Sequence, residues 1–100
     1  MRQAPDPTVD LVLYIAPQSP ASVRARRNLE TLLTEYDGSR ITLAVRDVAA
    51  DAEQAESDRV VFTPTLIVRM GGAVARVVGD LVDATAVINV LTMGGLEKKQ

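Results

Sequence analysis

The sequence predicts an α/β domain, with elements in the order β-α-β-α-β-β-α around a four-stranded mixed sheet. Three observations carry that expectation. A nearly all-apolar run, Leu11 to Ile15, leads through a turn into an amphipathic helical pattern, and a second, alternating run follows at Ile41 to Val48. Strands joined through a helix lie parallel, because such a crossover returns the chain to the same end of the sheet. Further on, two short strand patterns flank Gly71-Gly72, the signal of a tight antiparallel hairpin.

Each element has its own justification. Residues 1–8 carry Pro5 and Pro7 and are expected to form a flexible arm, with one folded domain over residues 9–95. The continuous apolar stretch to Ile15 suits an inner strand buried on both faces. Ser19-Pro20 reads as an N-cap followed by proline at the first helical position. The helix is expected to run to about Tyr36, because Ala25, Leu29, Leu32, Leu33 and Tyr36 form one apolar stripe. Asp37-Gly38 closes it. In the second strand Ile41, Leu43 and Val45 alternate with Thr42, Ala44 and Arg46. Asp51 to Arg59 is rich in Ala and Glu and reads as a short helix. Thr65 to Met70 and Ala73 to Val78 form the hairpin, which Gly79-Asp80 ends. A last helix is expected from near Asp83 to Gly94-Gly95, with Val82 and Val87 as a hydrophobic staple. Residues 96–100 are expected to fray. A parallel βαβ half followed by an antiparallel hairpin, with helices on both faces, is the thioredoxin-like topology.

Composition narrows the chemistry. The 100 residues are 47% apolar but only 3% aromatic, so the core must be built from Val, Leu, Ile and Ala. There is no cysteine and no histidine, which removes thiol chemistry, disulfides and the usual zinc or haem ligands. No cofactor and no metal are expected. A disulfide oxidoreductase of this topology places Cys-x-x-Cys after the first strand, where a helix N-terminus lowers the thiol pKa. Here that turn reads Ala16-Pro17-Gln18-Ser19-Pro20. The expectation is a binding module and not an enzyme, with no catalytic residue. Ser19 has no histidine to activate it. Asp83 and Asp80 are explained by capping and turn chemistry. A net charge of −2 argues against nucleic acid or a membrane surface as partner. No apolar run is long enough to span a bilayer, and the polar, proline-containing start does not read as a signal peptide, so a cytoplasmic location is expected.

Several strings, in this order and spacing, resemble the KaiB family, the thioredoxin-like component of the cyanobacterial circadian oscillator. They are Leu13-Tyr14-Ile15-Ala16, Ser22-Val23-Arg24-Ala25, Asp47-Val48, Thr63-Pro64-Thr65-Leu66 and Val77-Val78-Gly79-Asp80-Leu81. The resemblance runs from about Val9 to Leu91. It implies a non-enzymatic regulator that binds a KaiC-type RecA-like ATPase in a circadian, timing or stress-adaptation system. KaiA-like or histidine-kinase partners belong to the same implication. So does fold switching, between a thioredoxin-like monomer and a homo-oligomer, dimer or tetramer, with a different C-terminal half. The chain departs from the cyanobacterial pattern at Gly71-Gly72, where a proline-rich turn is common, and at Ala44 and Val68, where lysine is common. The alternative reading is a thioredoxin-fold sensor or interaction module for another partner, such as a histidine kinase or stress regulator.

Several residues are candidates for partner binding or switching. Arg24 and Arg27 share a face in the first turns of a helix, where the partial positive charge disfavours cations by up to about 1 kcal/mol each. The resemblance places them on a partner surface; a solvated helix face explains them equally. Arg26 has Glu30 within reach at i, i+4. The second strand is expected at a sheet edge, where Arg46 and Asp47 either flank a strand-addition site or protect the edge. Thr63-Pro64 either carries a cis bond beside a ligand surface or shapes the turn into the third strand. Gly79 and Asp80 form the last turn. The string Val87-Ile88-Asn89-Val90-Leu91-Thr92 has strand propensity in a segment assigned as helix. That conflict suits either tertiary override or two competing structures.

Overall fold

The computed structural model describes residues 8–99; apart from Thr8, the expected arm lies outside the described residues, as does Gln100. Four strands, β1 (Val9–Ile15), β2 (Ile41–Asp47), β3 (Thr65–Met70) and β4 (Ala73–Val78), form one sheet in the order β2-β1-β3-β4. β1 pairs parallel with β2 and antiparallel with β3, and β3 pairs antiparallel with β4. β2 is therefore an edge strand, as expected, and β4 is the other edge. Three helices, α1 (Pro20–Leu33), α2 (Ala52–Ser57) and α3 (Thr85–Met93), complete the fold.

β1 shows why the apolar run is continuous. Val9, Leu11, Leu13 and Ile15 face the main core with Ala25, Leu29 and Leu32 of α1 and Val87 and Leu91 of α3. The intervening Val12 and Tyr14 face the opposite side, where Ala55 of α2, Ile67, Val48 and Val60 meet them. From Leu11 to Ile15 both faces of the strand are covered, so this stretch needs no polar side, whereas Asp10 at its start is exposed. The tertiary core also overrides local preference in α3. Its β-branched residues stay helical because Val87 and Leu91, four apart, are both fully buried.

The cap of α1 forms as expected: the Ser19 side chain accepts from the Ser22 amide and Pro20 opens the helix. Three expectations need correction. α1 ends at Leu33, not near Tyr36, because the chain tightens into shorter bonds from the amides of Glu35 and Tyr36 to the carbonyls of Leu32 and Leu33. Tyr36 still reaches the core. The hydrophobic staple does not form, since Val82 is 70% exposed. Asp80 Oδ1 accepts from the Val82 amide at 3.1 Å and Leu81 adopts a φ of 62°, which turns Leu81 inward in place of Val82. α3 accordingly starts at Thr85, and Asp83 accepts its amide at 2.9 Å.

The third correction concerns the tail. After α3, Gly95 takes a φ of 87°, its amide reaches the Thr92 carbonyl, and the Leu96 amide reaches the Leu91 carbonyl. This is a Schellman closure, and its usual apolar contact brings Leu96 back onto the core at 3% exposure. The Lys99 amide then donates to the Glu35 carbonyl at 2.7 Å. Leu96 is docked and Lys99 is tied to Glu35 where fraying was expected. Leu96→Ala should therefore lower unfolding free energy by about 2 kcal/mol in urea titrations, whereas a frayed tail would leave it unchanged.

Candidate functional site

The loops that leave β1 and β2, enter β3 and leave β4 meet at one end of the sheet, as the register of Tyr14 with Arg46 and Thr65, and of Thr65 with Val78, requires. The first turns of α1 start from this end. The candidate residues Arg24, Arg46, Asp47, Thr63, Pro64, Gly79 and Asp80 thus gather at or beside one rim. Open sheets characteristically offer their sites at such a rim.

The turn after β1 is held from within. Ser22, fully buried, accepts from the Ala16 amide at 3.1 Å, and the Ser19 amide reaches the Ala16 carbonyl at 2.8 Å. Ala16, Pro17 and Gln18 then line a shallow groove with Asp47, Val48 and Ala49. It holds no thiol, amine or imidazole, so a nucleophile of the usual kind is lacking where a thioredoxin would carry one.

Asp80 organises the opposite half of the rim. Its Oδ1 accepts from Val82, its Oδ2 accepts from Arg24 Nε at 3.2 Å, and its carbonyl accepts from Asn28 at 2.9 Å. The bond from Val82, then that from Arg24, holds the Asp80 carboxyl below its ordinary range. Arg24 is therefore a clamp between α1 and the turn after β4. The two arginines part company here. Arg27 is exposed and makes no ion pair with another described residue, while Arg26 pairs with Glu30 at 3.0 Å as expected. The Thr63-Pro64 bond is cis. Pro64 is buried, and its carbonyl accepts from Gly79, whose φ of 121° suits glycine. The loop before β3 and the turn after β4 are thereby one unit.

At the β2 edge, Arg46 Nη1 lies 3.8 Å from Asp51 Oδ1, and Asp47 Oδ1 accepts from the Ala49 amide at 2.8 Å. Both side chains shape the turn into α2. Neither bonds to Arg24 or Arg27.

Two features escaped the sequence. The first is a buried polar network. Asp58 is 8% exposed, accepts from the Tyr14 hydroxyl on one oxygen and pairs with Arg69 on the other. Burial alone would raise the Asp58 carboxyl, but the Tyr14 hydrogen bond and the Arg69 charge outweigh it and its pKa falls. Burial, then the bond to Asp58, pushes Tyr14 up to about 12. The second is an exposed apolar face beside β4: Val61 (79% exposed), Phe62 (65%), Val74 and Val78. Arg59, Val61, Phe62, Thr65, Arg76 and Val78 line its groove. The available signals were the run Val60-Val61-Phe62 in a loop and a strand, Ala73 to Val78, with valines on both of its alternations.

Among the described residues, no group of three or more His, Cys, Asp or Glu side chains is placed to hold a metal ion, and no described helix is long and apolar enough to cross a membrane. Fold and site together define a thioredoxin-like α/β domain with a thiol-free turn. Solved structures agree on the fold. The N-terminal domain of Synechococcus elongatus SasA superposes with a TM-score of 0.72 at 22% identity, over 92% of this chain and 88% of that one. A chloroplastic thioredoxin z gives 0.74 at 21%, over 88% and 79%. The KaiB domain family model matches residues 12–93. The circadian clock oscillator protein KaiB of Gloeothece citriformis is 37% identical over 81% of this chain and 76% of its own length. That of Acaryochloris marina is 40% identical over 81% and 78%. The chain belongs to the KaiB family.

The polar network gives a test of the site's framework. Tyr14→Phe removes one of the donors to a buried carboxylate and should cost about 1–3 kcal/mol. Because the folded Asp58 pKa is depressed, its contribution is present above the unfolded value of about 4 and is lost as pH falls through the folded value. Because the Tyr14 pKa is raised, its contribution is complete below about pH 10 and is lost as pH rises through about 12. Urea titrations across pH should show the acid-side loss flattened in Asp58→Asn.

Proposed function

We propose that this chain is a non-enzymatic regulator that docks on a KaiC-type RecA-like ATPase in a circadian, timing or stress-adaptation system. Family membership over residues 12–93 is the observation that carries the reading. The rim supports it, since the position of a redox thiol holds only Pro17, Gln18 and Ser19, groups suited to contact. Arg27 is the favoured contact on α1. It is exposed on the middle of α1 and makes no ion pair with another described residue. Arg24 contributes through its clamp on Asp80, and the Arg46–Asp47 edge offers a second contact by strand addition. Cytoplasmic location, and an oligomer with a rearranged C-terminal half, extend the same family reading. The strand propensity of Val87 to Thr92 is consistent with such a second arrangement.

The test is binding to the KaiC-type hexamer from the same genome, measured with ATP and with ADP. The expected result is a complex whose affinity depends on nucleotide and falls at least tenfold in Arg27→Glu with the fold intact. Absence of any complex with that hexamer overturns the reading; an unchanged affinity in Arg27→Glu removes the α1 surface from it. Mass measurement by light scattering at several concentrations checks the oligomer.

A further inference from the structure

We propose that the groove beside β4 is a second docking surface, and that it takes an extended, acidic and apolar segment of a partner protein. It lies on the face of the sheet opposite α1. Two helices cover the α1 face, whereas the six-residue α2 alone covers the other, over β1 and β3. β4 is left bare, with Val74, Arg76 and Val78 pointing outward in register with Arg69, Ile67 and Thr65. Phe62 and Val61 extend the apolar area from the loop. Large exposed side chains gathered in one place mark interaction surfaces more often than the same residues scattered singly. β4 is also an open edge, and it carries neither proline nor lysine to discourage strand addition.

The charge selects the occupant. Although the chain is net negative, the groove is lined by two arginines and no acid. The nearest buried acid, Asp58, is already taken by Tyr14 and Arg69. Arg76 is aimed by a 3.1 Å bond from Nη1 to the Arg59 carbonyl, and its remaining donors are open to a carboxylate. A second copy would bring Arg59 and Arg76 toward their own equivalents, which like-charge repulsion opposes.

Arg59 supplies an independent observation. It closes α2 in a Schellman turn at a φ of 56°, with its amide on the Glu56 carbonyl and the next amide, of Val60, on the Ala55 carbonyl. Glycine is the residue that this conformation favours. The chain instead holds an arginine there, at a local conformational cost, and that arginine lines the groove. Strain retained at a position with a simple relief points to use of the side chain.

The test is an amide NMR titration of the full chain with a short, end-blocked peptide of alternating glutamate and leucine, and with its lysine–leucine counterpart. The expected result is saturable shifts confined to Val61, Phe62, Thr65, Arg76, Val78 and their neighbours for the glutamate peptide alone. Affinity should fall at least tenfold in Arg76→Glu and in Phe62→Ser, both exposed positions. Arg59→Gly should raise the melting temperature while weakening the peptide, separating loss of docking from loss of fold. Equal response to the lysine peptide, shifts elsewhere, or no shifts overturn the proposal. Shifts at the same residues on concentrating the protein alone would assign the face to a second copy and overturn it too.

Discussion

The rest of this structure depends on one strand being covered on both faces from Leu11 to Ile15. β1 pairs with β2 and β3 at once, and its side chains are shared between two unequal cores. The larger core is ordinary aliphatic packing of α1 and α3. The smaller one lies under a helix of six residues, too short to hold itself in place by propensity. What fixes it is a polar anchor: Asp58, just past α2, reaches down to Tyr14 on β1 and Arg69 on β3. A buried carboxylate is tolerable only with its partners in place, so the anchor specifies position as well as adding stability.

The rim that gathers the loops follows from the same sheet. Parallel pairing of β1 with β2 sends both of their exits to one end, and the cis-proline loop and the Gly79-Asp80 turn arrive there from the hairpin. The thioredoxin-like frame is complete at this end, and the groups that would react are replaced by groups that shape the backbone. Ser22 holds the first turn, Asp80 holds α1 against the last, and Asp47 holds the turn into α2.

Much of the fold was legible because its signals are local and periodic. The apolar run of β1, the Ser19-Pro20 cap, the Gly71-Gly72 hairpin and the edge position of β2 all read directly from residue order. Helix ends were less legible. The end of α1 and the start of α3 depend on i+3 bonding and on an Asp80 turn that swaps Leu81 for Val82, and neither has a periodic signature. Leu96 looked like tail because the Schellman closure that returns it to the core rests on Gly95 taking a positive φ. In the site, Arg24 and Asp80 were both singled out, yet their pairing across 56 positions was invisible. The Tyr14–Asp58–Arg69 contact escaped for the same reason, being a tertiary meeting of three ordinary residues. The β4 groove is a matter of what covers what, and no window of sequence reports coverage.

The anchor at Asp58 has one more consequence, for how such a chain can drift over generations. Its three members sit on different elements, 44 and 11 positions from the shared carboxylate. Losing Tyr14 or Arg69 leaves the buried Asp58 carboxylate short of a partner, so single exchanges there are penalised unless Asp58 changes with them. Descendants should thus inherit these positions as a set, travelling together or vanishing together.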